Sequence, residues 1–579
     1  MKRLLTILKM PGAKWFRGAR LNFAENLLSR KDDHKALIFR GEDSVKTEMT
    51  YRELSDNVRN VAAGLRSLGI KKGDRIAAFM PNIPETVIAM LATASIGAIW
   101  SSTSPYFGIK GVLDRFTQIE PKLVLAADGY FFKGQVFDTQ EKLKGILKNL
   151  PTVDFVILVN YTGNLNLREI PHAISWNDLI VDTNTELVFE QLPFDHPLYI
   201  MYSSGTTGLP KSIVHSAGGT LIQHLKELVL HCNIQSDQTI FYYTTCGWMM
   251  WNWFVSGLAT GATLVLYDGN PFYPEPDALL KMADELNISF FGTSAKYIAA
   301  LEESGVKPKD ISDFPFLKVI ASTGSTLMPG SFEYVYRDWK KDVQLSSIAG
   351  GTDIISCFML GNPTLPVYVG EIQCKGLGMD VDYFNDEGQT ADEGQGELVC
   401  KTAFPSMPIY FLNDTWGEKY FNAYFDVYPN VWRHGDFISI NKHGGIVMYG
   451  RSDATLNPQG VRIGTAEIYR VVEKMEEVED SVVVGKRIEG DELVVLFVKL
   501  KDGIQLDEAL LKKMKREIRT NCSPRHVPSI IKSVPDIPHT INGKKVEIAV
   551  KKIIHGEEVK NKEALVNPEC LDYYKGILD

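Results

Sequence analysis

The sequence predicts an α/β fold, with a large N-terminal domain of parallel α/β sheets, a β-rich subdomain and a small α+β C-terminal domain. Strand-like apolar runs alternate with helical patterns in the first third of the chain, as in parallel sheets. Between residues 358 and 450, short apolar runs separated by Gly, Pro, Asp and Asn indicate antiparallel strands. After residue 453, a hairpin pattern and an amphipathic helix pattern indicate a smaller unit. The 579 residues exceed the roughly 250–300 at which a single core stops growing, so more than one domain is expected.

The first strong helix pattern begins at Thr50. Thr50-x-x-Glu53 is a capping box, in which the side chain of each residue bonds to the backbone of the other. Gly69 ends the apolar pattern that follows. The apolar residues at helical spacing are Leu54, Val58, Val61, Leu65 and Leu68.

Strand and helix patterns then alternate. Residues 75–80 form a short apolar run that predicts a strand. Asn82 and Pro84 open a buried helix that we expect to extend to residue 100. Further strands are predicted at residues 122–127 and 154–160. In the last part of the chain, residues 481–484 and 492–500 predict a hairpin, and residues 507–521 predict an amphipathic helix.

The composition narrows the classes of function. A net charge of -9 argues against general nucleic-acid binding, although a local basic cluster can still hold an anionic small molecule. The seven cysteines are scattered without a C-x-x-C pair, which indicates a reducing compartment, and we expect the cytosol. No apolar run reaches the roughly 18 residues of a membrane span, and the apolar run near the first residue is too short for a secretory signal. We therefore expect no integral membrane association.

The strongest chemical signal is a segment rich in glycine and hydroxyl residues that follows an apolar run at residues 197–201. Its glycines let the backbone approach an anion closely, its hydroxyls donate hydrogen bonds, and its lysine adds a positive charge. This chemistry suits the phosphates of ATP, although a polar surface loop is the alternative, and the Walker A spacing is missing. The segment reads Tyr202-Ser203-Ser204-Gly205-Thr206-Thr207-Gly208-Leu209-Pro210-Lys211-Ser212.

Further motifs follow this segment in a fixed order. They are His434-Gly435-Asp436, Gly450-Arg451-Ser452-Asp453, Gly460-Val461-Arg462-Ile463-Gly464-Thr465-Ala466-Glu467-Ile468 and Asn542-Gly543-Lys544. In order and spacing the set resembles the acyl-adenylate-forming superfamily, which includes acyl-CoA synthetases, adenylation domains and luciferases. Other stretches resemble the acetoacetate-activating branch of that superfamily. They are Trp15-Phe16, Leu21-Asn22-Phe23-Ala24-Glu25-Asn26, Gly247-Trp248-Met249-Met250-Trp251-Asn252-Trp253 and Gly350-Gly351-Thr352-Asp353-Ile354-Ile355-Ser356-Cys357-Phe358.

The resemblance implies a ligase that works in two steps. Acetoacetate and ATP would give an acyl-AMP and pyrophosphate, and coenzyme A would then take the acyl group and release AMP. ATP, Mg²⁺ and coenzyme A are the implied cofactors and co-substrates, and the implied setting is lipid, fatty-acid and ketone-body metabolism. The resemblance also divides the chain into an adenylation domain, residues 1–452, and a mobile small domain, residues 453–579, with a hinge near Asp453.

The resemblance assigns roles in catalysis and in phosphate binding. Lys544, Thr206 and Lys211 are the implied catalytic residues, since positive charge and donors stabilise the reacting phosphate. The implied phosphate contacts are Ser203, Ser204, Gly205, Thr207 and Gly208. The alternative for Lys544 is a solvated lysine in a turn, because Lys545 follows it at once.

Acidic and basic residues are implied for the rest of the nucleotide. Asp436 would accept hydrogen bonds from the ribose hydroxyls, although alone it reads as a turn aspartate. Arg451 would contact the ribose side and Arg462 the phosphate, since a guanidinium is planar and always charged; a surface salt bridge is the alternative. Arg525, in a Ser-Pro-Arg-His segment, would bind a phosphate of coenzyme A.

Two glycine-rich segments are implied to line the adenine and the metal. Their residues are Gly324, Ser325, Gly351, Thr352 and Asp353. Thr206 and Asp353 are the implied Mg²⁺ ligands. The chain departs from the superfamily pattern twice. Residues 346–350 contain no aromatic residue to stack on adenine, and Asp353 replaces the usual glutamate.

The acyl pocket is implied at Trp248, Met249, Met250 and Gly350. Gly350 stands where a tryptophan closes the pocket of acetate-activating relatives, so we interpret the glycine as room for a longer acid. The apolar residues around Trp248 also fit ordinary core packing, which we expect for most of them. Two alternatives stay open: a ligase for another short or branched acid, and a non-catalytic protein that binds acyl groups or nucleotides.

Overall fold

The computed structural model describes residues 9–578, apart from 43–44, 184, 204–208, 386, 392, 457, 459–462, 489–490, 542 and 560–561. It has the α/β architecture predicted from the sequence. Two large sheets, two small antiparallel sheets and a separate C-terminal sheet contain most of the strands.

The first large sheet has eight strands, of which the first six are parallel. In spatial order they are Ala173–Ser175, Phe155–Val159, Leu123–Ala127, Arg75–Phe79, Ile99–Thr103, Pro197–Ser203, Lys211–Ser216 and Tyr410–Phe411. Pro197–Ser203 and Lys211–Ser216 are antiparallel neighbours, with Ser203 opposite Lys211. The two ends of the glycine-rich segment are therefore fixed side by side.

The second large sheet has seven strands, and only its last pair is antiparallel. In spatial order they are Gln344–Ser347, Val319–Thr323, Ile288–Ser294, Thr239–Tyr242, Thr263–Asp268, Lys35–Gly41 and Lys46–Thr50. One buried cluster contains residues of both large sheets together with the helices Tyr51–Ser67 and Pro84–Ile96. The two sheets thus share a core with helices between them.

The α-helices of this large region connect the strands. They are Phe23–Leu27, Tyr51–Ser67, Pro84–Ile96, Ile109–Ile119, Gln140–Leu147, Trp176–Leu179, Ala217–Leu225, Met249–Val255, Ala278–Glu285, Ala295–Glu303, Pro329–Tyr334 and Glu418–Tyr424. The predicted capping box is present, because Thr50 and Glu53 bond reciprocally at the start of Tyr51–Ser67. In the described part of the chain, none of the helices combines the length and apolar character that a bilayer crossing requires.

The helix predicted to extend to residue 100 is shorter than expected. Pro84–Ile96 is buried along nearly its whole length, but Gly97 ends it in the left-handed conformation with φ 80°. The next apolar residues form the strand Ile99–Thr103. Glycine adopts this φ without strain, so the helix stops there and the chain turns into the sheet.

The β-rich subdomain and the small domain also form as predicted. The subdomain contains an antiparallel sheet of Val381–Phe384, Gly394–Cys400, Trp432–Ile440 and Ile446–Arg451, beside a smaller sheet of Ala349–Gly351, Ser356–Leu360 and Cys374–Lys375. In the small domain, the hairpin Val478–Ile488 and Asp491–Leu500 is extended by Ile530–Ser533. Its α-helices are Thr465–Val472, Glu508–Asn521 and Glu547–Ile554.

Candidate active site

The candidate site lies where strands of the large region end and the small domain faces them. Ser203, Thr323 and Ser347 are the last residues of three parallel strands. Ligands of open parallel sheets bind at this carboxyl edge. The buried hydroxyl of Ser203 has no hydrogen-bond partner among the described residues, so it is available to a ligand.

Six of the residues implied by the sequence lie outside the described residues. They are Ser204, Gly205, Thr206, Thr207, Gly208 and Arg462. Their roles stay predictions, and the geometry below rests on their neighbours.

Lys211 and Asp353 both lie against Tyr424. The Nζ atom of Lys211 lies 5.3 Å from the ring centroid of Tyr424 and 5.7 Å from that of Phe411. The hydroxyl of Tyr424 donates a hydrogen bond to Oδ1 of Asp353. Tyr424 in turn stacks on Trp432 with ring centroids 3.7 Å apart. Sequence reasoning missed Tyr424, because no local pattern distinguishes it from the other aromatic residues of its helix.

Asp353 is held in its ionised form. Burial alone would raise the pKa of this carboxyl, but Lys211 and His434 outweigh that effect and lower it. An ionised carboxylate is the kind of ligand that Mg²⁺ prefers. Of the two residues implied as metal ligands, the structure describes only this one.

A second charged group forms on neighbouring strands of the β-rich subdomain. Asp436 and Arg451 are opposite each other in the register of Trp432–Ile440 and Ile446–Arg451. Nη1 of Arg451 lies 3.4 Å from Oδ1 of Asp436. The Nε2 atom of His434 is 3.6 Å from Oδ2 of the same carboxylate. This arrangement leaves Asp436 nearly buried, with its carboxylate oriented by a cation on one side and a ring on the other.

Arg451 also contacts Asp453, which follows the last strand of the β-rich subdomain. Its Nε atom lies 3.5 Å from Oδ1 of Asp453. Burial alone would lower the pKa of Arg451, but Asp436 and Asp453 raise it above its ordinary value. The guanidinium therefore stays charged while half of its side chain remains open to solvent.

Lys544 and Lys545 have different environments. Removal from water lowers the pKa of Lys544, while the carboxylates of Asp436 and Asp353 oppose that shift. The charge of Lys544 therefore interacts with both carboxylates. The residue is only partly removed from water, because part of its surface is still exposed. Lys545 instead binds inside the small domain, where its Nζ atom lies 2.9 Å from Oε1 of Glu473. The structure thus separates two lysines that the sequence alone leaves equivalent.

The glycine-rich segments lie next to these charges. A Cβ atom at Gly351 would lie 3.2 Å from the His434 ring, so glycine allows a close approach there. The carbonyl oxygen of Thr352 accepts a hydrogen bond of 2.9 Å from Nε2 of His215. Burial lowers the pKa of His215 to about 4, so the ring is neutral near pH 7. Gly324 and Ser325 directly follow the strand Val319–Thr323, with Ser325 exposed.

The predicted acyl-pocket residues are mostly core residues. Met249 and Met250 are 5% and 2% exposed and belong to the large buried cluster, while Trp248 packs against it.

The explanation of Gly350 needs correction. A Cβ atom at Gly350 would lie 2.0 Å from the backbone oxygen of Ser356 and 2.6 Å from Cα of Cys357. Close pairing of two strands therefore accounts for the glycine, and its small size cannot be interpreted as room for the acid. A Gly350→Trp substitution would strain the strand pair instead of filling a pocket.

Arg525 is separate from these groups. It lies exposed in the short 3₁₀ turn Pro524–His526 of the small domain. Among the described residues, its side chain makes no hydrogen bond or ion pair with the cluster around Asp436. Its proposed contact with coenzyme A stays a prediction.

Comparison with known proteins identifies the class to which this arrangement belongs. Residues 23–411 match the family described as AMP-binding enzyme, and residues 467–544 match the AMP-binding enzyme C-terminal domain. The chain therefore belongs to the AMP-binding enzyme family.

Within that family, the chain is similar over nearly its whole length to acetoacetyl-CoA synthetases. It is 54% identical to acetoacetyl-coenzyme A synthetase of Rhizobium meliloti (strain 1021), with 98% of this chain and 88% of that protein covered. It is 51% identical to the acetoacetyl-CoA synthetase of Gallus gallus, with 97% and 86% covered. The solved structure of acetoacetyl-CoA synthetase from Streptomyces lividans has a TM-score of 0.93 at 43% identity, covering 99% of this chain and 88% of that one.

Proposed function

We propose that the protein is an AMP-forming acid–thiol ligase that converts acetoacetate to acetoacetyl-CoA. In the first step a carboxylate oxygen of acetoacetate attacks the α-phosphorus of ATP, and the bond to the bridging oxygen of pyrophosphate breaks. In the second step the sulfur of coenzyme A attacks the acyl carbon of acetoacetyl-AMP, AMP leaves, and the thiol proton goes to solvent. The choice of acid rests on the similarity to acetoacetyl-CoA synthetases over nearly the whole chain.

The placement of Lys544 is the observation that carries the proposal. The first step brings two anions together, so it needs a cation that reaches the reacting oxygens. Lys544 comes from the small domain and lies within electrostatic reach of Asp436 and Asp353. It would neutralise the charge that develops on the α-phosphate as the acyl-AMP forms.

The other residues would bind the nucleotide. Asp436 would accept hydrogen bonds from the two ribose hydroxyls, and Arg451 and His434 orient its carboxylate. Ser203 and Lys211 would bind the β- and γ-phosphates, together with the residues between them. The buried hydroxyl of Ser203 supports this role, because none of the residues that the structure describes bonds to it.

The chemistry of the site fits a magnesium ion. Asp353 is an ionised carboxylate beside Lys211, which suits a site that binds both a cation and phosphates. Asp353 and Thr206 would hold the ion, which would neutralise the phosphates of ATP when bound. Tyr424 fixes the orientation of Asp353 through its hydroxyl.

The free cysteines support a cytosolic location for this activity. All seven cysteines are free, as expected for a reducing compartment. We place the enzyme in the cytosol, where acetoacetyl-CoA made from the ketone body acetoacetate would enter lipid metabolism.

A panel of short acids tests the function. With ATP, Mg²⁺ and coenzyme A present, AMP formation would be measured for acetoacetate, acetate, propionate, butyrate and 2-methylpropionate. We expect kcat/KM for acetoacetate to exceed that for acetate by at least about 10-fold, since pocket contacts discriminate by about that factor per missing group. Preference for another acid would favour a ligase for a different short or branched substrate. No AMP with any acid would favour a non-catalytic binding protein.

We also propose that the small domain turns about a hinge near Asp453 between the two steps. Arg451 binds Asp453 directly, so the connection lies beside the site. Asp453→Pro is expected to slow thioester formation more than acyl-AMP formation, because proline fixes φ and restricts the preceding residue. Single-turnover rates of pyrophosphate release and of acetoacetyl-CoA formation would be compared. A parallel decrease of both rates would place the hinge elsewhere.

A further inference from the structure

A carboxylate of the small domain caps a helix of the large domain. Oε2 of Glu563 accepts a hydrogen bond of 2.6 Å from the backbone N–H of Gly111, which lies 452 positions earlier. Gly111 is in the first turn of the helix Ile109–Ile119, and Gly108 at its N-cap has no side-chain cap. A carboxylate at a helix N-terminus satisfies a free N–H and interacts favourably with the helix dipole. Glu563 therefore supplies the cap that the local sequence lacks.

The segment around Glu563 pairs with the loop that carries Lys544. The N–H of Ile541 donates to the carbonyl of Ala564 at 3.0 Å, and the N–H of Val566 donates to the carbonyl of His539 at 2.9 Å.

The Lys544 end of this loop is closed by a short turn. The backbone N–H of Lys544 donates to Oγ1 of Thr540, while the N–H of Thr540 donates to the carbonyl of Lys544. Glu563 is thus connected to the backbone of Lys544 by a few hydrogen bonds.

The same helix contacts both described ends of the proposed phosphate-binding segment, residues 202–212, which we call the phosphate segment. The guanidinium of Arg115 lies 5.7 Å from the ring centroid of Tyr202, next to Ser203. The side-chain amide of Gln118 donates a hydrogen bond of 2.9 Å to the carbonyl of Pro210, next to Lys211. Ile109–Ile119 therefore contacts the phosphate segment and the small domain together.

We propose that Glu563 is a positioning residue, which docks the Lys544 loop on the helix Ile109–Ile119 so that Lys544 is aligned with the phosphate segment for acyl-AMP formation. The proposal rests on the proposed function. Its chemistry is a hydrogen bond from a backbone N–H to a carboxylate, which is stronger than one between neutral groups. When the small domain turns for the second step, this bond breaks, so Glu563 acts in the first step alone.

Half-reactions of three variants test the proposal. Glu563→Ala is expected to slow single-turnover acyl-AMP formation by roughly 3- to 30-fold, the factor that loss of a helix cap corresponds to. Thioester formation from supplied acetoacetyl-AMP should be unchanged or faster. Glu563→Gln should lie between Glu563→Ala and the wild type, because its amide oxygen still accepts the bond without the charge. Glu569→Ala, which removes an exposed carboxylate of the same segment, should behave as wild type.

Hydrogen exchange in the absence of substrates provides an independent readout. In Glu563→Ala the amides of residues 109–112, 539–541 and 543–545 should exchange faster than in wild type, while Glu569→Ala leaves them unchanged. An equal decrease of both half-reactions, wild-type rates, or unchanged exchange in Glu563→Ala would overturn the proposal. If wild type forms no acyl-AMP at all, the proposed function fails and the positioning role falls with it. The exchange data would then still decide whether Glu563 docks the loop.

Discussion

Lys544→Ala is expected to slow acyl-AMP formation by about 10²–10³-fold, the usual effect of removing one electrostatic stabiliser of a transition state. Thioester formation from supplied acetoacetyl-AMP should be unchanged, because the proposed contact with the α-phosphate is needed in the first step only. The two half-reactions would be measured by single-turnover rapid quench.

Lys474→Ala is the matched control for this variant. Lys474 is an exposed lysine of the same small domain, so its loss tests a general effect of surface charge. We expect wild-type rates for it in both half-reactions. If Lys544→Ala slows both half-reactions equally, Lys544 does not act selectively in adenylation.

Lys545→Ala, unlike Lys544→Ala, is expected to lower the free energy of unfolding of the small domain. Nζ of Lys545 binds Glu473 and Asp480 inside the small domain, and its side chain is only 16% exposed. Loss of one partner leaves carboxylates without their cation, which costs about 3–5 kcal/mol in a buried pair. We expect about 3 kcal/mol, the lower end of that range, because His539 remains bonded to Asp480.

The free energy of unfolding would be measured by urea denaturation. Hydrogen exchange along the hairpin Val478–Ile488 and Asp491–Leu500 would show that the decrease belongs to the small domain. Lys474→Ala again serves as the control. A wild-type unfolding free energy together with a selective loss of adenylation would mean that Lys545, and not Lys544, is the catalytic lysine.

The fold could be predicted where its signals are local. The capping box at Thr50 and Glu53 fixed the start of a helix, and the structure confirms it. The predicted end of the helix at residue 100 was wrong, because a buried helix and the strand that follows it both appear in the sequence as one continuous apolar run. Gly97 was the available signal, because its left-handed conformation ends the helix.

The site could be predicted only in part. The charged residues stand in recognisable motifs, and the structure brings Asp353, Asp436, Arg451 and Lys544 into one electrostatic group. Tertiary contacts remained hidden, since Tyr424 meets Asp353 across 71 positions of the chain. The clash that makes residue 350 a glycine likewise depends on how two strands pair.

Direct detection of the intermediate tests the central claim. The protein would be mixed with acetoacetate, Mg²⁺ and ATP labelled at the α-phosphate, without coenzyme A, and quenched rapidly. We predict a burst of enzyme-bound acetoacetyl-AMP with an equal amount of pyrophosphate, and its conversion to acetoacetyl-CoA and AMP when coenzyme A is added. Formation of ADP and phosphate, or no labelled acyl nucleotide before coenzyme A is added, would contradict the two-step mechanism.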